Sequence, residues 1–502
     1  MGLTRGVLRM LPLLLVALGA AGALLLVGSV SAWWWCAAGP LLALTALGGR
    51  DLAQRRRSVL RNYPLIGRPP FLVHERARGA EAEEPFGTGR DVYVDGHEFL
   101  ESSMRPVEVP DEPPVVRVGG PDCTQPYDMA LLNVSAMSFG ALSPNAVLAL
   151  NRGAALGRFA HDTGEGGLSD HHLRGGGDLI WEIGTGYFGC RTSEGDFEAR
   201  EFADKAALPE VKCVSLKLSQ GAGPGTGGVL PGAKVNAEIA RARGVPEGRA
   251  VVSPPYHRVF STPRELVRFV ARMRELAGGK PTGFKLCVGS RRQFLAVCKA
   301  MLAEGVTPDF IVVDGSEGGT GAAPAEFAGG LGTPLTEGLI TVHNALVGTG
   351  LRERVRIGAS GGIATGSDIV RRLLQGADYT NAARAMMLAV GCVRARRCHT
   401  NTCPAGVATQ DPLRVRALDV ADKSERVRRY HRATVHSACR IMAAMGVRDP
   451  GELTPHRLLR RVGPTTVRSY AELYEWLPSG VLLAEPPATW SADWAAADPD
   501  SF

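Results

Sequence analysis

The chain lacks the paired C-x2-4-C hooks that gather a structural zinc ion. It also lacks a disulfide framework. Its cysteines are Cys36, Cys123, Cys190, Cys213, Cys287, Cys298, Cys392, Cys398, Cys403 and Cys439, and outside one loop they are scattered in apolar runs such as Val211–Leu218 and Phe284–Val288. That pattern reads as buried free thiols in a reducing compartment. No basic stripe interleaved with aromatics is present. The formal charge of +7 is mostly arginine, concentrated in Arg50–Arg61 and Val415–Arg461, which sets nucleic acid aside as a partner. No NAD(P)H-binding domain is apparent either, so the reading requires an external electron donor.

Glycine, in contrast, is abundant, at 62 of 502 residues. Such a count suits loops where backbone approaches a phosphate or a ring closely. The N-terminus is the other conspicuous feature. Met10–Val30 carries no charge and is long enough to cross a bilayer. A second apolar run, Ser31–Leu47, opens with Trp33-Trp34-Trp35, a residue type that favours the membrane interface. Arg5 and Arg9 precede the first run, and Arg50, Arg55, Arg56 and Arg57 follow the second. Basic flanks on both sides predict a transmembrane hairpin in the cell membrane, with the catalytic domain cytoplasmic. The competing reading is a secretory signal cleaved at Val30-Ser31-Ala32. The second apolar run weighs against it.

These features divide the chain into a hairpin (1–50), a linker and lead-in (51–128), a main domain (129–412) and a helical extension (413–502). Ser58–Glu84, with Pro64, Pro69 and Pro70, reads as linker. From Met129, strands alternate with helices. The strands are Ala130–Ala136, Val211–Leu218, Gly283–Val288, Phe310–Val313 and Val355–Ala359. The helices are Asn145–Leu156, Pro263–Leu276, Arg292–Ala303, Gly338–Val347 and Asp368–Leu374. Repeated strand–helix units with short turns predict a parallel α/β fold. Met129–Leu388 is about 260 residues, the length of a (β/α)8 TIM barrel. A doubly wound sheet is the alternative, but glycine motifs after several different strands favour a barrel, whose site is built from many strand ends.

Gly391–Gln410 (GCVRARRCHTNTCPAGVATQ) places Cys392, Cys398 and Cys403 close together, the last followed by proline. Closely spaced thiolates before Cys-Pro are a way to wrap an iron–sulfur cluster, and three ligands suit a three-iron cluster. A loop of reduced thiols is the plainer reading. Ala359-Ser360-Gly361-Gly362 follows a strand, and Thr365-Gly366-Ser367 opens the next helix, as in phosphate-binding turns of barrels. A turn with a helix cap has the same signature. Lys217 and Gln220 end one strand, and Lys285 sits in the apolar Phe284-Lys285-Leu286. A lysine there requires a partner for its charge, unless it is a surface lysine at a strand end.

Four of these segments, Ser135–Ser143 (SAMSFGALS), Lys217–Lys234 (KLSQGAGPGTGGVLPGAK), Gly315–Pro324 (GSEGGTGAAP) and Arg356–Gly366 (RIGASGGIATG), with the cysteine loop, resemble the FMN-binding synthase domain of glutamate synthase. They lie in the family's order, and the resemblance runs from about Phe86 to about Arg414. It is nearest to the short forms without an amidotransferase domain. The resemblance implies a noncovalent FMN and a three-iron (3Fe-4S) cluster on Cys392, Cys398 and Cys403. It implies that Ser135, Ala136, Met137 and Ser138 lie along the flavin ring, that Lys217 and Gln220 contact it, and that Gly318 and Gly319 lie near flavin and 2-oxo acid. Ser360, Gly361 and Gly362 would take the phosphate. Lys285 and Gln220 would be catalytic, with Lys285 at the flavin–substrate site. Glu165, in TGEGG, also matches, without an evident role.

The implied function is a glutamate synthase-like oxidoreductase of the CH–NH2 class, making glutamate from 2-oxoglutarate, or a related 2-oxo acid, and ammonia. Its electrons would come from ferredoxin or a separate reductase subunit. An FMN-dependent dehydrogenase of another amino, N-alkyl-amino or 2-hydroxy acid is the alternative, and a tethered redox protein without turnover is a third. One departure bears on the nitrogen source. Thr226 stands where full-length members of the family carry an acid at the ammonia entry, and no catalytic cysteine adjoins Met1. The expectation is ammonia or an amine, not glutamine.

Overall fold

Eight parallel strands close into a barrel, in sequential order around the ring. In this computed structural model, which describes residues 2–55, 58–62 and 91–502 apart from 222, 224, 320–322, 325 and 328, they are β1 (Leu132–Val134), β2 (His161–Asp162), β3 (Leu179–Ile183), β4 (Val211–Lys217), β5 (Thr282–Leu286), β6 (Phe310–Asp314), β7 (Arg356–Ser360) and β8 (Tyr379–Ala382). The (β/α)8 expectation is met, and the doubly wound sheet is excluded by closure between β8 and β1. Arg56, Arg57, most of the linker to Glu84, Pro224 and Thr320-Gly321 lie outside the described residues.

The strands form because their residues are covered on both faces. All five residues of β3 are buried, as are six of the seven in β4, the mark of a parallel sheet sheathed in helices. The outer helices are amphipathic. In Pro263–Leu276, Leu266, Val267, Phe269, Val270 and Met273 face inward, at helical spacing. Each such side chain contributes about 1.5–3 kcal/mol when fully buried. That helix begins where Thr262 Oγ1 accepts from Glu265 N at 3.2 Å and Pro263 takes the first turn, a paired start signal.

The two ends of the barrel differ chemically. At the N-terminal end, Ile180, Cys213, Phe310, Val312 and Tyr379 form an apolar plug with Val118 and Met129. The last two come from the antiparallel ribbon Val115–Val118/Tyr127–Ala130, which makes the lead-in segment the floor of the barrel. At the C-terminal end β2, β4, β6 and β7 finish in the charged and polar residues Asp162, Lys217, Asp314 and Ser360.

Helix α1 (Gly2–Ser29) and helix α2 (Trp35–Ala53) pack together. Gly19 lies against Leu41, and Gly48 against Leu13, so the pair is antiparallel. Met10–Ser29 is the one stretch among the described residues long and apolar enough to cross a membrane. Leu14, Leu15, Leu18 and Leu25 on it are exposed. A short helix, α3 (Ser58–Asn62), fastens this end to the barrel: Asn62 Nδ2 donates to Pro404 O at 2.9 Å and Arg61 Nη1 to Ala417 O at 3.1 Å.

At the other end of the chain, helix α4 (Val420–Ala444) packs on Pro144–Gly157 and Gly366–Leu374. A Cβ at Gly153 would stand 2.6 Å from Val427 Cγ1, so glycine is what permits the close approach. The extension expected to be helical is helical through α4. Beyond it, Leu458–Arg461 is a strand because it pairs with Glu98–Leu100 from the lead-in, Val467–Ser469 pairs with Leu458–Arg461 in turn, and short helices, Ala488–Ala496 the longest, follow.

Candidate active site

The C-terminal mouth of the barrel gathers five ionisable groups on four neighbouring strands and one loop. Lys217 closes β4 and Lys285 lies on β5, and the two are register partners. Both are buried, as alternation along parallel strands puts their side chains inside the ring. Each has its own carboxylate. Lys217 Nζ is 2.8 Å from Glu165 Oε1, on the loop after β2. Lys285 pairs with Glu182 of β3, itself 2% exposed. Asp162, the last residue of β2, is the fifth group, its Oδ1 accepting from Gly164 N at 3.0 Å.

The electrostatics follow from burial and pairing. Burial opposes ionisation of Glu165, but the Lys217 ammonium, with its hydrogen bond, outweighs it and holds the carboxyl below its ordinary range. Burial likewise opposes the Lys285 charge, and the carboxylates of Glu182, Asp162 and Asp314 reverse that, raising it above the usual lysine value. Asp162 has no cation to itself. Burial and the neighbouring Glu182 push its carboxyl up to about 8. The mouth therefore holds two fixed ammonium groups and a proton on Asp162 near neutral pH.

Glycines frame this set. A Cβ at Gly228 would run into the Glu165 carboxylate, and one at Gly184 would crowd its other oxygen. The loops after β4 and β6 also touch. Gly221 lies so close to Gly315 O that no side chain fits, and Gly221 N donates to Asp314 Oδ2 at 2.8 Å. Gly318 stacks on the same turn, its N–H donating to Gly315 O at 2.9 Å. Gln220 is half-buried at the mouth, and its amide makes no hydrogen bond to the described residues. Thr226 is exposed, its hydroxyl turned to Gly223 O at 2.9 Å.

On the opposite side, Ser135 Oγ and Ser360 Oγ are 3.2 Å apart, joining the ends of β1 and β7. Gly361 and Gly362 follow with φ of 139° and 66°, conformations that favour glycine and leave the backbone uncovered. Ahead of the helix Gly366–Leu374, Asp368 Oδ2 accepts from Ala364 N, Thr365 N and the Thr365 hydroxyl, so the N–H groups of the turn's end are taken by the chain itself. The Arg384 guanidinium reaches toward Gly319, close to where a Cβ there would stand. Ala136, Met137 and Ser138 run from Ser135 across to the loop after β2, where a Cβ at Gly164 would stand 2.6 Å from Ser138 N. Asn381 Oδ1, at the end of β8, is buried with no hydrogen-bond partner among the described residues. A separate cavity of about 220 Å³ lies behind the β4–β5 wall, lined by Leu218, Tyr256, Phe284, Leu286 and Phe294. Neither lysine lines it.

The cysteine loop adjoins this side. Three non-glycine residues in it are left-handed, Arg394, Arg396 and Asn401, with φ of 54°, 52° and 58°. Asn401 pins the coil, donating to Ala233 O at 2.8 Å and accepting from Gln410 N at 2.7 Å. Burial raises the Cys392 thiol, and Cys403 and Cys398 raise it further, so the three sulfurs share one neighbourhood. Among the described residues no three His, Cys, Asp or Glu side chains converge on a single-ion site. Lys234 Nζ donates to Ala141 O at 2.7 Å and to Cys398 O at 2.9 Å. Arg243 Nη2 donates to Ser138 Oγ at 3.3 Å and Phe139 O at 3.0 Å. Thus the loop and the mouth are joined through residues 138–143.

The fold brings the named residues to the same end of the barrel in two groups: Lys217, Gln220, Lys285, Gly318 and Gly319 on one side, Ser135–Ser138 and Ser360–Gly362 on the other. Sequence reasoning missed Glu182, Asp162, Lys234, Arg243 and Arg384. A glutamate inside the apolar run Leu179–Ile183 was the readable signal for the first. The others take their meaning from contacts between distant segments.

Residues 123–448 match the family model described as the conserved region in glutamate synthase. The match continues past the cysteine loop through α4. The chain is 42% identical over 354 residues to the glutamate synthase large subunit-like protein YerD of Bacillus subtilis, covering 70% of this chain and 67% of that one. It is 34% identical over 333 residues to the archaeal NADPH glutamate synthase of Methanocaldococcus jannaschii, covering 66% and 62%. With the NADPH glutamate synthase large chain of Azospirillum brasilense it shares 34% over 326 residues, which is 63% of this chain and 20% of that one. The matched stretch is therefore under two thirds of the archaeal relative and a fifth of the Azospirillum chain.

Proposed function

The chain belongs to the glutamate synthase family, and we propose that it is an FMN- and iron–sulfur-dependent oxidoreductase that reductively aminates 2-oxoglutarate, or a related 2-oxo acid, with ammonia. The observation that carries the reading is the register pair Lys217–Lys285 at the barrel mouth, each ammonium held by a buried glutamate.

The residues present fit FMN. Two fixed cations suit the anionic N1–C2 edge of a reduced flavin. The Ser360–Gly362 turn, with the Arg384 guanidinium near Gly319, suits a phosphate. The orphan acceptor of Asn381 suits a ligand N–H. Three neighbouring free thiols also fit a three-iron cluster, in which each sulfur binds a different iron atom and no single-ion convergence is required. Bound there, FMN would supply hydride to an imine carbon, and the cluster would deliver electrons singly.

The chain's own part is to bind, balance charge and hold a proton. Lys217 and Lys285 retain their positive charge because Glu165 and Glu182 accompany them, so they can face an anionic ring or a carboxylate. Asp162 keeps a proton next to them near neutral pH, in reach of the group's pH range for acid–base work. Gln220 offers an uncommitted amide. An electron donor such as ferredoxin or a separate reductase subunit meets the cysteine loop, where Arg394, Arg396 and Arg397 are exposed. The apolar outer face of α1 supports anchoring in the cell membrane, and the arginines that flank the helix pair are the ground for reading the catalytic domain as cytoplasmic.

Anaerobic purification followed by acid release tests the cofactor: FMN is expected, and FAD or no flavin in folded protein overturns the reading. Reduced with dithionite and given 2-oxoglutarate, the protein should form glutamate with ammonia. Thr226 carries no charge near neutral pH to attract an ammonium, so high ammonia should be needed and glutamine should support no turnover. Glutamate formation from low glutamine by the purified protein alone contradicts the nitrogen assignment.

A further inference from the structure

Lys234 is a buried ammonium with no carboxylate partner among the described residues. It is 2% exposed, and its two hydrogen bonds go to carbonyls, Ala141 O at 2.7 Å and Cys398 O at 2.9 Å. Burial works against its charge and pushes its pKa down to about 8, Arg243 adds to this, and Cys398 and Cys403 are the neighbouring groups whose negative charge would favour it. Every other buried lysine at the mouth has a glutamate. Removing an ammonium from water costs several kcal/mol unless an anion repays it, and two carbonyl dipoles repay only part. The missing anion is therefore to be sought at the two sulfurs.

We propose that Lys234 is the counter-charge of the centre built on Cys392, Cys398 and Cys403, and that it sets that centre's reduction potential. This rests on reading those cysteines as cluster ligands. A thiolate-bound cluster is anionic, and gaining an electron makes it more negative by one. A fixed cation in a low-dielectric site stabilises the reduced form more than the oxidised one, which raises the potential. Lys234 also reaches Ala141, in the loop that continues the Ser135–Ser138 segment at the mouth. The charge therefore lies on the side of the cysteine loop that faces the flavin-lining backbone, where it favours electron arrival. It is a positioning and tuning residue, since it touches neither substrate nor reacting atoms.

The test is a redox titration of the holoenzyme followed by electron paramagnetic resonance, with iron and sulfide analysis, on wild type, Lys234→Met, Lys234→Gln and Lys234→Arg. Loss of the charge in Met or Gln should lower the midpoint. At a fixed potential the oxidised-to-reduced ratio should rise about tenfold, which for one electron is about 59 mV. Arg should restore the wild-type midpoint. Should the Met variant shed its iron, the Gln variant, which keeps a donor to both carbonyls without the charge, carries the measurement. An unchanged midpoint in iron-replete Gln protein overturns the role of Lys234 while leaving the cluster in place. An Arg variant as impaired as Met also overturns it, since packing and not charge would then be at stake. Wild-type protein prepared anaerobically without iron overturns the cluster reading and the inference together.

Discussion

The barrel mouth and the cysteine loop both bury lysines, and they treat them in opposite ways. At the mouth each ammonium has a glutamate, and the whole set is locked by glycines that admit the carboxylates. At the loop, Lys234 has two carbonyls and, among the described residues, no carboxylate. The mouth is thus charge-balanced by the chain itself and ready to receive a ligand of either local polarity. The loop is balanced only if its sulfurs are anionic. Under the proposed function, the mouth would orient substrate and ring, and the loop would be where charge arrives.

Breaking the balance at the mouth should have the largest effect. Lys285→Met leaves Glu182 buried without its cation, which typically costs about 3–5 kcal/mol, read as a shift in denaturant unfolding together with loss of flavin and turnover. A variant as stable as wild type would show that the pair does not hold the mouth. The loop should behave otherwise. Cys398→Ser should remove iron and sulfide and abolish donor-linked turnover while circular dichroism and flavin content stay as in wild type. Iron content unchanged in all three single cysteine variants would contradict the ligand set.

A smaller effect should come from the frame. Gly228→Ala pushes a methyl group into the Glu165 carboxylate, an overpacking that costs about 1–3 kcal/mol, and should weaken flavin retention through Lys217. A neutral outcome would mean that the loop carrying Gly228 yields freely. The smallest is a pH effect. Asp162 has a raised carboxyl, about 8 against an ordinary 3.8. The folded state therefore holds this proton more tightly than the unfolded one. The stability it contributes is fully present below 3.8 and is lost as pH rises through about 8. Asp162→Asn should flatten the fall in thermal midpoint between about pH 6 and 8. A profile parallel to wild type would assign that fall to other groups.

Much of this was legible in one dimension. The barrel could be read from alternating strand and helix signals over the right length. Pro263–Leu276 was found to the residue, because Thr262-Pro263 and a helical apolar stripe coincide there. Three barrel strands were not named. His161–Asp162 has only two residues, too few for a period to show, and Leu179–Ile183 and Tyr379–Ala382 carry polar residues at the mouth. The C-terminal strand Leu458–Arg461 escaped because its partner, Glu98–Leu100, lies more than 350 residues away in the chain, and Val467–Ser469 is a strand because it adds to that pair. Contact, not local pattern, makes them strands.

By itself the sequence determined the glycine turns, the two strand-end lysines, the three cysteines and the apolar N-terminal helix, because each is a local pattern with a local physical cause. Only the tertiary structure decided which carboxylate meets which lysine. Glu165 had no evident role until the loop after β2 was laid against β4. Asp162 and Glu182 became one electrostatic unit only when neighbouring strands aligned in a ring. Lys234 is the clearest case. In the chain it is 164 residues from Cys398, and its burial without an anion is a property of the closed barrel. Burial and pairing are relations between distant segments, so a charge's energy cannot be read until the fold has chosen its neighbours.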